Sequence, residues 1–518
     1  MNSFRRICFC LLAIVTILGA SSAPADVAVQ YHCAGVSQLA SDTHLTSLHD
    51  VLASRSTTNF ENIALARFSS LLTNSLRLGK NPLSSSLIEP LLSDALETES
   101  LGIFGGDSGK ALSFILALHL EASRAQLWQD AFAKMFGQSG EKFASQEFSG
   151  SRWNPGGSNS LWVIPARDWL LVGCGDDFSA LQVEYLNQIK AQGRPVSPLE
   201  HNWLEADIAS IRLGGWFRLL KPARIRITVA PNDGDLQISA RVLETEAIPW
   251  KSESWLMPKE FMRNQTISFT AGQNVAAFLN MNPAYSHLPG NPMTNQFYFW
   301  ALDQMPLLNY MAWPVANASN VLQRLATEAP AALNPELKRF NGTELVWRPA
   351  ASKLILVNIN LFAPVLQAEQ NRGGQFLLLS SFPVSDGEPA PDSIRAQIQG
   401  RTNLVYFDWE VTGRRLRQWQ ILSKMIANRS LRPSNDVVAK AGVENEWLSA
   451  LTRLAGNTVT EITSVAPNEL SVTRKGPIGF TAVELALLAD WLCDANSGPI
   501  HSPPQVGTKP PVPHPAHR

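Results

Sequence analysis

The sequence predicts an α+β protein made of two related modules, in which mostly antiparallel sheets pack against helices. Short strand-like runs alternate with amphipathic helices, and several of the strands form adjacent hairpins, which favours antiparallel pairing. The phrase VAPN occurs at Val229 and again at Val465, and the strands and helices before the two copies follow the same order. These observations together predict an internal duplication.

A signal peptide is predicted over residues 1–25. The chain begins with the positively charged stretch MNSFRR, continues with the apolar run ICFCLLAIVTILGA, and reaches an A-x-A cleavage pattern before Asp26. The apolar run is shorter than a membrane-spanning helix needs, although an uncleaved anchor remains an alternative. We therefore expect an exported protein, periplasmic or extracellular, with no membrane span after signal removal.

Module 1 is predicted over residues 26–255. Apolar residues at helical spacing predict helices at 59–77 and 85–97. A strand at 113–120 leads into a helix at Ser123, where SRAQ has the pattern of a capping box. The later elements are a hairpin around the residues PARD, a second capping box at Ser179, and the hairpin that carries the first VAPN.

Module 2 is predicted over residues 256–495, with the same order of elements. The order is a strand at 310–315, a helix at 319–329, three strands, and a helix at 392–398. An inserted helix is expected at about 424–455, and a third capping box at Thr481 begins the last helix. Residues 496–518 are rich in proline and are predicted to be a disordered tail.

A second pattern recurs in both modules, and its members are the binding candidates. In each module a strand ends near an Asp and is followed by Arg-Leu-x-x-Trp. The arginines are 415 − 212 = 203 residues apart and the VAPN valines 465 − 229 = 236, so module 2 carries 33 extra residues, which matches the inserted helix. An Arg that stacks on the Trp and pairs with the Asp would fix how the strand meets the helix, and a pair of functional sites is the alternative. The candidates are Asp207, Arg212, Trp216, Asp408, Arg415 and Trp419.

Catalytic and cofactor motifs are largely absent from the sequence. The stretch GGDSGK at 105–110 resembles the nucleophile loop of chymotrypsin-like proteases, but no histidine upstream lies in that family's base motif. There is no G-x-S-x-G elbow, no Walker or Rossmann glycine pattern, no H-E-x-x-H and no zinc-type spacing. The adjacent acids Asp176 and Asp177 are better explained by a helix N-terminus than by a metal. We expect no catalytic residues, no cofactor and no metal.

The net charge and the cysteine content bear on the partners and on the disulfides that we expect. Removal of Arg5 and Arg6 with the leader leaves 41 basic and 44 acidic residues, which gives a net charge of −3. The sequence has no run of basic residues, so we expect no nucleic-acid partner. Cys33, Cys174 and Cys493 remain after cleavage. Buried free thiols are the favoured interpretation, and a disulfide between two of them stays open.

The phrases ISFTAGQNVAAFLN, GRTNLVY and GNTVTEI resemble uncharacterised exported proteins of bacteria, which implies an extracytoplasmic setting and no particular function. The leading hypothesis is a non-enzymatic envelope protein with a binding or structural role, which holds an apolar ligand or a protein partner in a groove. The alternative is an extracytoplasmic hydrolase with a dispersed active site, for which His119, Asp207 and Asp408 are candidates.

Overall fold

All strands of the described chain belong to one antiparallel sheet. The computed structural model of the protein describes residues 27–75, 83–105, 113–154, 160–175, 179–209, 222–248, 253–263, 265–274, 295–304, 308–339, 342–359, 362–371, 374–382, 392–427 and 435–493. The leader predicted at 1–25 and the tail predicted at 496–518 lie outside these residues. The sheet has 20 strands, and every pairing in it is antiparallel. The α+β class with antiparallel pairing is therefore confirmed.

The first half of the chain contributes ten strands. They are β1 (Val27–Cys33), β2 (Ser100–Gly105), β3 (Ser113–His119), β4 (Glu141–Ser145), β5 (Phe148–Trp153), β6 (Leu161–Ala166), β7 (Trp169–Cys174), β8 (Leu204–Ala209), β9 (Pro222–Asn232) and β10 (Asp235–Glu244). From the outer edge inwards their order is β4, β5, β6, β7, β3, β2, β1, β8, β9, β10.

The second half contributes the other ten strands. They are β11 (Thr266–Gln273), β12 (Gln296–Leu302), β13 (Asn309–Val315), β14 (Glu344–Arg348), β15 (Lys353–Val357), β16 (Val365–Asn371), β17 (Gly374–Ser380), β18 (Leu404–Val411), β19 (Asn457–Ala466) and β20 (Glu469–Gly476). From the outer edge inwards their order is β14, β15, β16, β17, β13, β12, β11, β18, β19, β20, which repeats the order of the first half strand for strand.

The two sets of strands meet where β10 pairs with β20, and we call this pairing the seam. It runs from Leu236 opposite Gly476 to Leu243 opposite Glu469. Ser239 lies four residues after the start of β10 and Thr473 four residues after the start of β20, and these two residues are paired. The seam thus relates the two hairpins by an approximate two-fold axis. The sequence suggested separate sheets for the modules, but the free edges of β10 and β20 join them because each supplies the backbone partners that the other lacks.

Eleven helices are present in the described residues. Nine of them lie on one face of the sheet, which we call the helical face: α1 (Val36–Ser41), α2 (Thr46–Ala53), α3 (Arg55–Ser75), α4 (Leu83–Glu97), α5 (Ala122–Phe136), α7 (Ala318–Leu337), α9 (Thr412–Ala427), α10 (Asn435–Leu454) and α11 (Ala482–Cys493). The other two, α6 (Ser179–Gln192) and α8 (Asp392–Ile398), pack on the opposite face. Between α6 and α8 the opposite face carries polar side chains such as Thr228 and Ser239, and we call this area the open face.

The largest core joins the two halves on the helical face. Val29 of β1 and Leu204 of β8 belong to the same buried cluster as Leu485 of α11. Within it, the rings of Phe60 and Trp447 stack at 4.0 Å between centroids, with an interplanar angle of 5°. Such aromatic contacts add to the hydrophobic effect, so the helices from both ends of the chain hold the two halves together.

Several local predictions are confirmed. Both VAPN copies end a strand of a hairpin, β9 with β10 and β19 with β20. The residues PARD form the turn between β6 and β7, with Arg167 in the left-handed region at φ 54°. At Thr481 the capping box is present, because the Thr481 backbone N–H donates to Glu484 at 2.9 Å and the Glu484 N–H donates to the Thr481 hydroxyl at 3.4 Å.

Three local predictions are wrong. Four strands, β14 to β17, lie between α7 and α8, where the sequence predicted three, and the missed strand is β16. Helix α5 begins at Ala122 with Glu121 as its N-cap and without a side-chain capping bond, so SRAQ at Ser123 is not a capping box. Helix α7 continues through Pro330 to Leu337, whereas the sequence analysis predicted a helix over 319–329. The side chain of Asn334 bonds to both backbone groups of Leu345 in β14, at 2.7 and 3.1 Å, and this anchors the turns beyond the proline.

Candidate functional site

The two aspartates of the recurring Asp-Arg-Trp pattern do not occupy equivalent positions. Asp207 is paired with Arg226 across β8 and β9 and lies on the open face, where it accepts hydrogen bonds from Arg224. Asp408 in β18 lies on the helical face and accepts a hydrogen bond of 2.6 Å from the Thr270 hydroxyl. Arg212 and Trp216 lie outside the described residues, so only the second copy of the pattern can be followed further.

Arg415 and Trp419 make the stacking contact that the spacing predicts. The guanidinium carbon of Arg415 lies 5.6 Å from the ring centroid of Trp419 and 5.9 Å from that of Phe299. Its hydrogen bonds go to Asn309 at 3.1 Å and Gln418 at 2.6 Å, so Asp408 acts on Arg415 through charge and not as its hydrogen-bond acceptor. Burial lowers the pKa of Arg415. This contact fastens the first turn of α9 to the strands β12 and β13.

A cluster of charged side chains surrounds Asp408 between the sheet and α11. Arg474 of β20 donates to Thr460 at 2.9 Å and to Glu484 of α11 at 2.8 Å. Glu410, two residues beyond Asp408, accepts a hydrogen bond of 2.6 Å from the backbone N–H of Ala482. We call the group of Asp408, Glu410, Arg415, Arg474 and Glu484 the charged cluster.

The carboxyl groups of the charged cluster have perturbed acidities. Burial raises the pKa of Glu410 to about 7, although the Ala482 N–H opposes the shift. Burial also raises the pKa of Asp408, against the hydrogen bond from Thr270. Perturbed pKa values occur at catalytic sites and also in structural networks. Here Glu410 accepts a hydrogen bond from a backbone N–H at the N-terminus of α11, and only 7% of its surface is exposed. We therefore interpret this arrangement as one that holds α11 against the sheet.

The hydrolase candidates are not brought together. His119 ends β3 and its ring contacts that of Trp169 in a tilted arrangement, with 5.1 Å between centroids and an interplanar angle of 35°. In the sheet, β3 is separated from the β8 strand of Asp207 by β2 and β1, and Asp408 lies on the other face. A site that uses His119 with Asp207 and Asp408 is therefore excluded by their positions, while a hydrolase built from other residues stays untested.

A depression lies at one end of the seam, beside the second VAPN phrase. Its volume is about 450 Å³, within the range usual for small-molecule sites. One wall is Ile248, which follows β10, and the N–H of Ile248 donates to the carbonyl of Pro467 at 2.9 Å. Its apolar lining residues are Ile248, Leu404, Val405, Val465, Ala466 and Pro467, and its polar ones are Gln273, Asn274, Thr402, Asn403 and Ser464.

The backbone around the depression is held by hydrogen bonds while Val465 faces solvent. The Glu244 N–H donates to Asn468 at 2.8 Å and the Ser464 N–H donates to Asn403 at 2.9 Å. The strand irregularity between Ser464 and Ala466 leaves Val465 52% exposed, a high value for a valine. This depression is the candidate functional site. The sequence analysis did not predict it, because its lining residues come from segments far apart in the chain. The repeated VAPN was the one signal that marked it.

Comparison of the chain with known proteins does not assign it to a family. No protein-family model matches the chain, and neither a curated protein nor a solved structure is significantly similar to it. Within the described ranges no helix is long and apolar enough to cross a membrane, and no group of three or more potential ligand side chains is placed to hold a metal ion. Cys33 is a buried thiol and Cys174 a half-buried one, and the Cys493 side chain is not among those described.

Proposed function

We propose that the protein is an exported, non-enzymatic binding protein of the cell envelope, and that it holds an apolar ligand in the depression at the seam. The observation that carries the proposal is the exposed Val465 in a depression of about 450 Å³ that is lined by six apolar and five polar residues. An apolar side chain left in water is stabilised when a ligand covers it, and burial of a valine contributes roughly 1.5 kcal/mol or more.

Export is proposed on the leader pattern alone. Cleavage after Ala25 would leave Asp26 as the first residue, directly before β1. N-terminal sequencing of the protein recovered from the producing cell tests this. An N-terminus at Met1 together with recovery from the cytoplasm would contradict export.

An internal duplication is proposed on the strand order. Ten strands follow the same pairing order in each half, the helices α5 and α7 follow equivalent strands, and Ser239 pairs with Thr473 at the seam. Ancestral halves paired edge to edge would give this arrangement, because a two-fold axis makes one surface complementary to itself. An experimental structure in which the two ten-strand sets fail to superpose through a rotation near 180° would contradict it.

The ligand proposal is tested with a fluorescent long-chain fatty acid as the probe. The variant Val465→Asp places a charge in the recess, and Leu487→Asp on α11 is its control, since Leu487 is 64% exposed and lies on a different part of the surface. We expect Val465→Asp to weaken binding by about tenfold, which corresponds to about 1.4 kcal/mol, and Leu487→Asp to leave it unchanged.

Native mass spectrometry of the untreated protein complements the titration. A co-purified apolar molecule that is retained by the parent and by Leu487→Asp but lost from Val465→Asp would support the site. No retained molecule and no probe binding in the parent would contradict the proposal, and equal binding by both variants would place the ligand elsewhere.

A further inference from the structure

We propose that the open face carries a binding site for a phosphate group next to the seam, formed by Arg226, Arg241 and Ser471. The site is distinct from the depression and does not depend on the function proposed above. Arg226 of β9 and Arg241 of β10 are directly opposite each other, and Ser471 of β20 is opposite Arg241 in the next strand. The three side chains therefore form one row across the seam, with residues from both halves.

Two guanidinium groups in direct opposition are unfavourable unless something lies between them. Directly opposite residues in an antiparallel pair have Cβ atoms about 5 Å apart, and like charges there destabilise the sheet. The side chains of Arg226 and Arg241 are 61% and 55% exposed, so both guanidinium groups are open to a ligand. An arrangement that costs stability and remains accessible is what a ligand site requires.

The neighbouring carboxylates neutralise only part of this positive charge. Asp207 is engaged mainly by Arg224, whose Nε donates to both carboxylate oxygens at 2.7 and 2.9 Å, and it reaches the Arg226 Nε only at 3.4 Å. Glu469 accepts one hydrogen bond from Arg241, from NH1 at 3.1 Å. Three arginines thus share two carboxylates in direct contact with them. Among the described residues, the terminal nitrogens of Arg226 have no hydrogen-bond acceptor.

The free donors fit a phosphate better than a carboxylate. A guanidinium fork binds two oxygens of one anion, so two forks need a ligand with three or more acceptor oxygens. A phosphate monoester supplies three such oxygens and a charge of −1.5 to −2 near neutral pH. Carboxylates lie on both sides of this row, since Glu205 is opposite Thr228 and Glu469 is two residues before Ser471. The phosphate is therefore proposed within the row itself, between the two guanidinium groups and the Ser471 hydroxyl.

The site is tested with inorganic phosphate and pyrophosphate at low ionic strength, by isothermal titration calorimetry and ³¹P line broadening. The variants are Arg226→Gln, Arg241→Gln and the double variant. Arg324→Gln is the control, since Arg324 is 51% exposed and pairs with Glu328 on α7. We expect the double variant to weaken binding by about tenfold or more and the control by less than about twofold, because only exposed charge is lost there.

Thermal unfolding separates a ligand site from a structural role. Removal of a like-charge pair without ligand should leave the Tm of Arg226→Gln unchanged or raise it. Added pyrophosphate should raise the Tm of the parent and of the Arg324→Gln control, but not that of the double variant. A clear fall in the Tm of Arg226→Gln would overturn the inference, as would phosphate binding that survives in the double variant or is absent from the parent.

Vesicles identify the source of the phosphate group. Binding to phosphatidylcholine vesicles that contain phosphatidic acid, but not to pure phosphatidylcholine, and its loss in the double variant would assign the site to a lipid headgroup. Binding of soluble phosphate without vesicle binding would assign it to a free phosphate compound. Either result supports the site, and failure of all probes rejects it.

Discussion

The replacement Glu410→Gln tests whether the buried charge of Glu410 in the charged cluster lowers the free energy of unfolding. Glu410 is buried under α11 and accepts the N–H of Ala482, and burial raises its pKa from 4.5 to about 7. Glutamine has nearly the same shape and its carbonyl oxygen can accept the same hydrogen bond. The replacement therefore removes the ionisation and keeps the contact.

The magnitude follows from the difference in pKa between the folded and unfolded chains. A pKa raised in the folded state means that the unfolded chain loses its proton first, so the free energy of unfolding falls as the pH rises from about 4.5 to 7. The contribution is complete below the unfolded value and lost above the folded one. A rise of about 2.5 pH units corresponds to about 3 kcal/mol at 1.36 kcal/mol per unit.

Urea denaturation of the parent and Glu410→Gln at pH 4 and pH 8 gives the comparison, since titrating groups remote from the charged cluster cancel in the difference. We expect the two free energies of unfolding to be similar at pH 4 and the variant to be more stable by up to about 3 kcal/mol at pH 8. If the difference is the same at both pH values, or if the variant is the less stable one at pH 8, the charge of Glu410 is compensated in the fold and the reasoning fails.

Three further substitutions test packing and capping. Leu485→Ala should lower the free energy of unfolding by about 2–5 kcal/mol because Leu485 is 2% exposed in the shared core. Its control, Leu487→Ala on the same helix, should change this free energy by less than about 0.5 kcal/mol. Equal effects of the two substitutions would contradict the packing of α11. Gly413→Ala should destabilise by about 1–3 kcal/mol because its new methyl group would lie 2.1 Å from the Thr452 carbonyl oxygen. Its control, Gly442→Ala in α10, meets nothing within 4 Å and should stabilise by up to about 1 kcal/mol, as measured by chemical denaturation. Thr481→Ala should cost about 1 kcal/mol in the same assay through loss of the cap on α11, and no loss would mean that Glu484 alone suffices.

Local patterns predicted local structure well. The two VAPN hairpins, the turn at PARD and the capping box at Thr481 each depend on a few adjacent residues, and all are present. The strands of the second half were only partly predicted, because three of the four strands between α7 and α8 were recognised and β16 was missed. The predicted helix at 319–329 was too short, because α7 continues through Pro330 and a tertiary contact of Asn334 with Leu345 holds its last turns.

The features that sequence reasoning missed depend on register between distant strands. Asp207 and Asp408 look equivalent in the sequence, but a shift of one residue in a strand moves a side chain to the other face of the sheet. The opposition of Arg226 and Arg241 and the recess beside Val465 also arise from pairing. No motif records such positions, and a binding role of the candidates chosen by pattern stays a prediction.

The seam has a consequence for the order in which the polypeptide acquires its shape. Strand β10 ends at Glu244, while its neighbour β20 begins only at Glu469, so 224 intervening residues must be made before that neighbour exists. Throughout this interval β10 presents an unsatisfied backbone ladder to whatever lies nearby, which invites pairing with a sibling chain. Late closure between such distant segments is slow, because a large loop must be ordered first. Yield on refolding should therefore fall steeply with protein concentration.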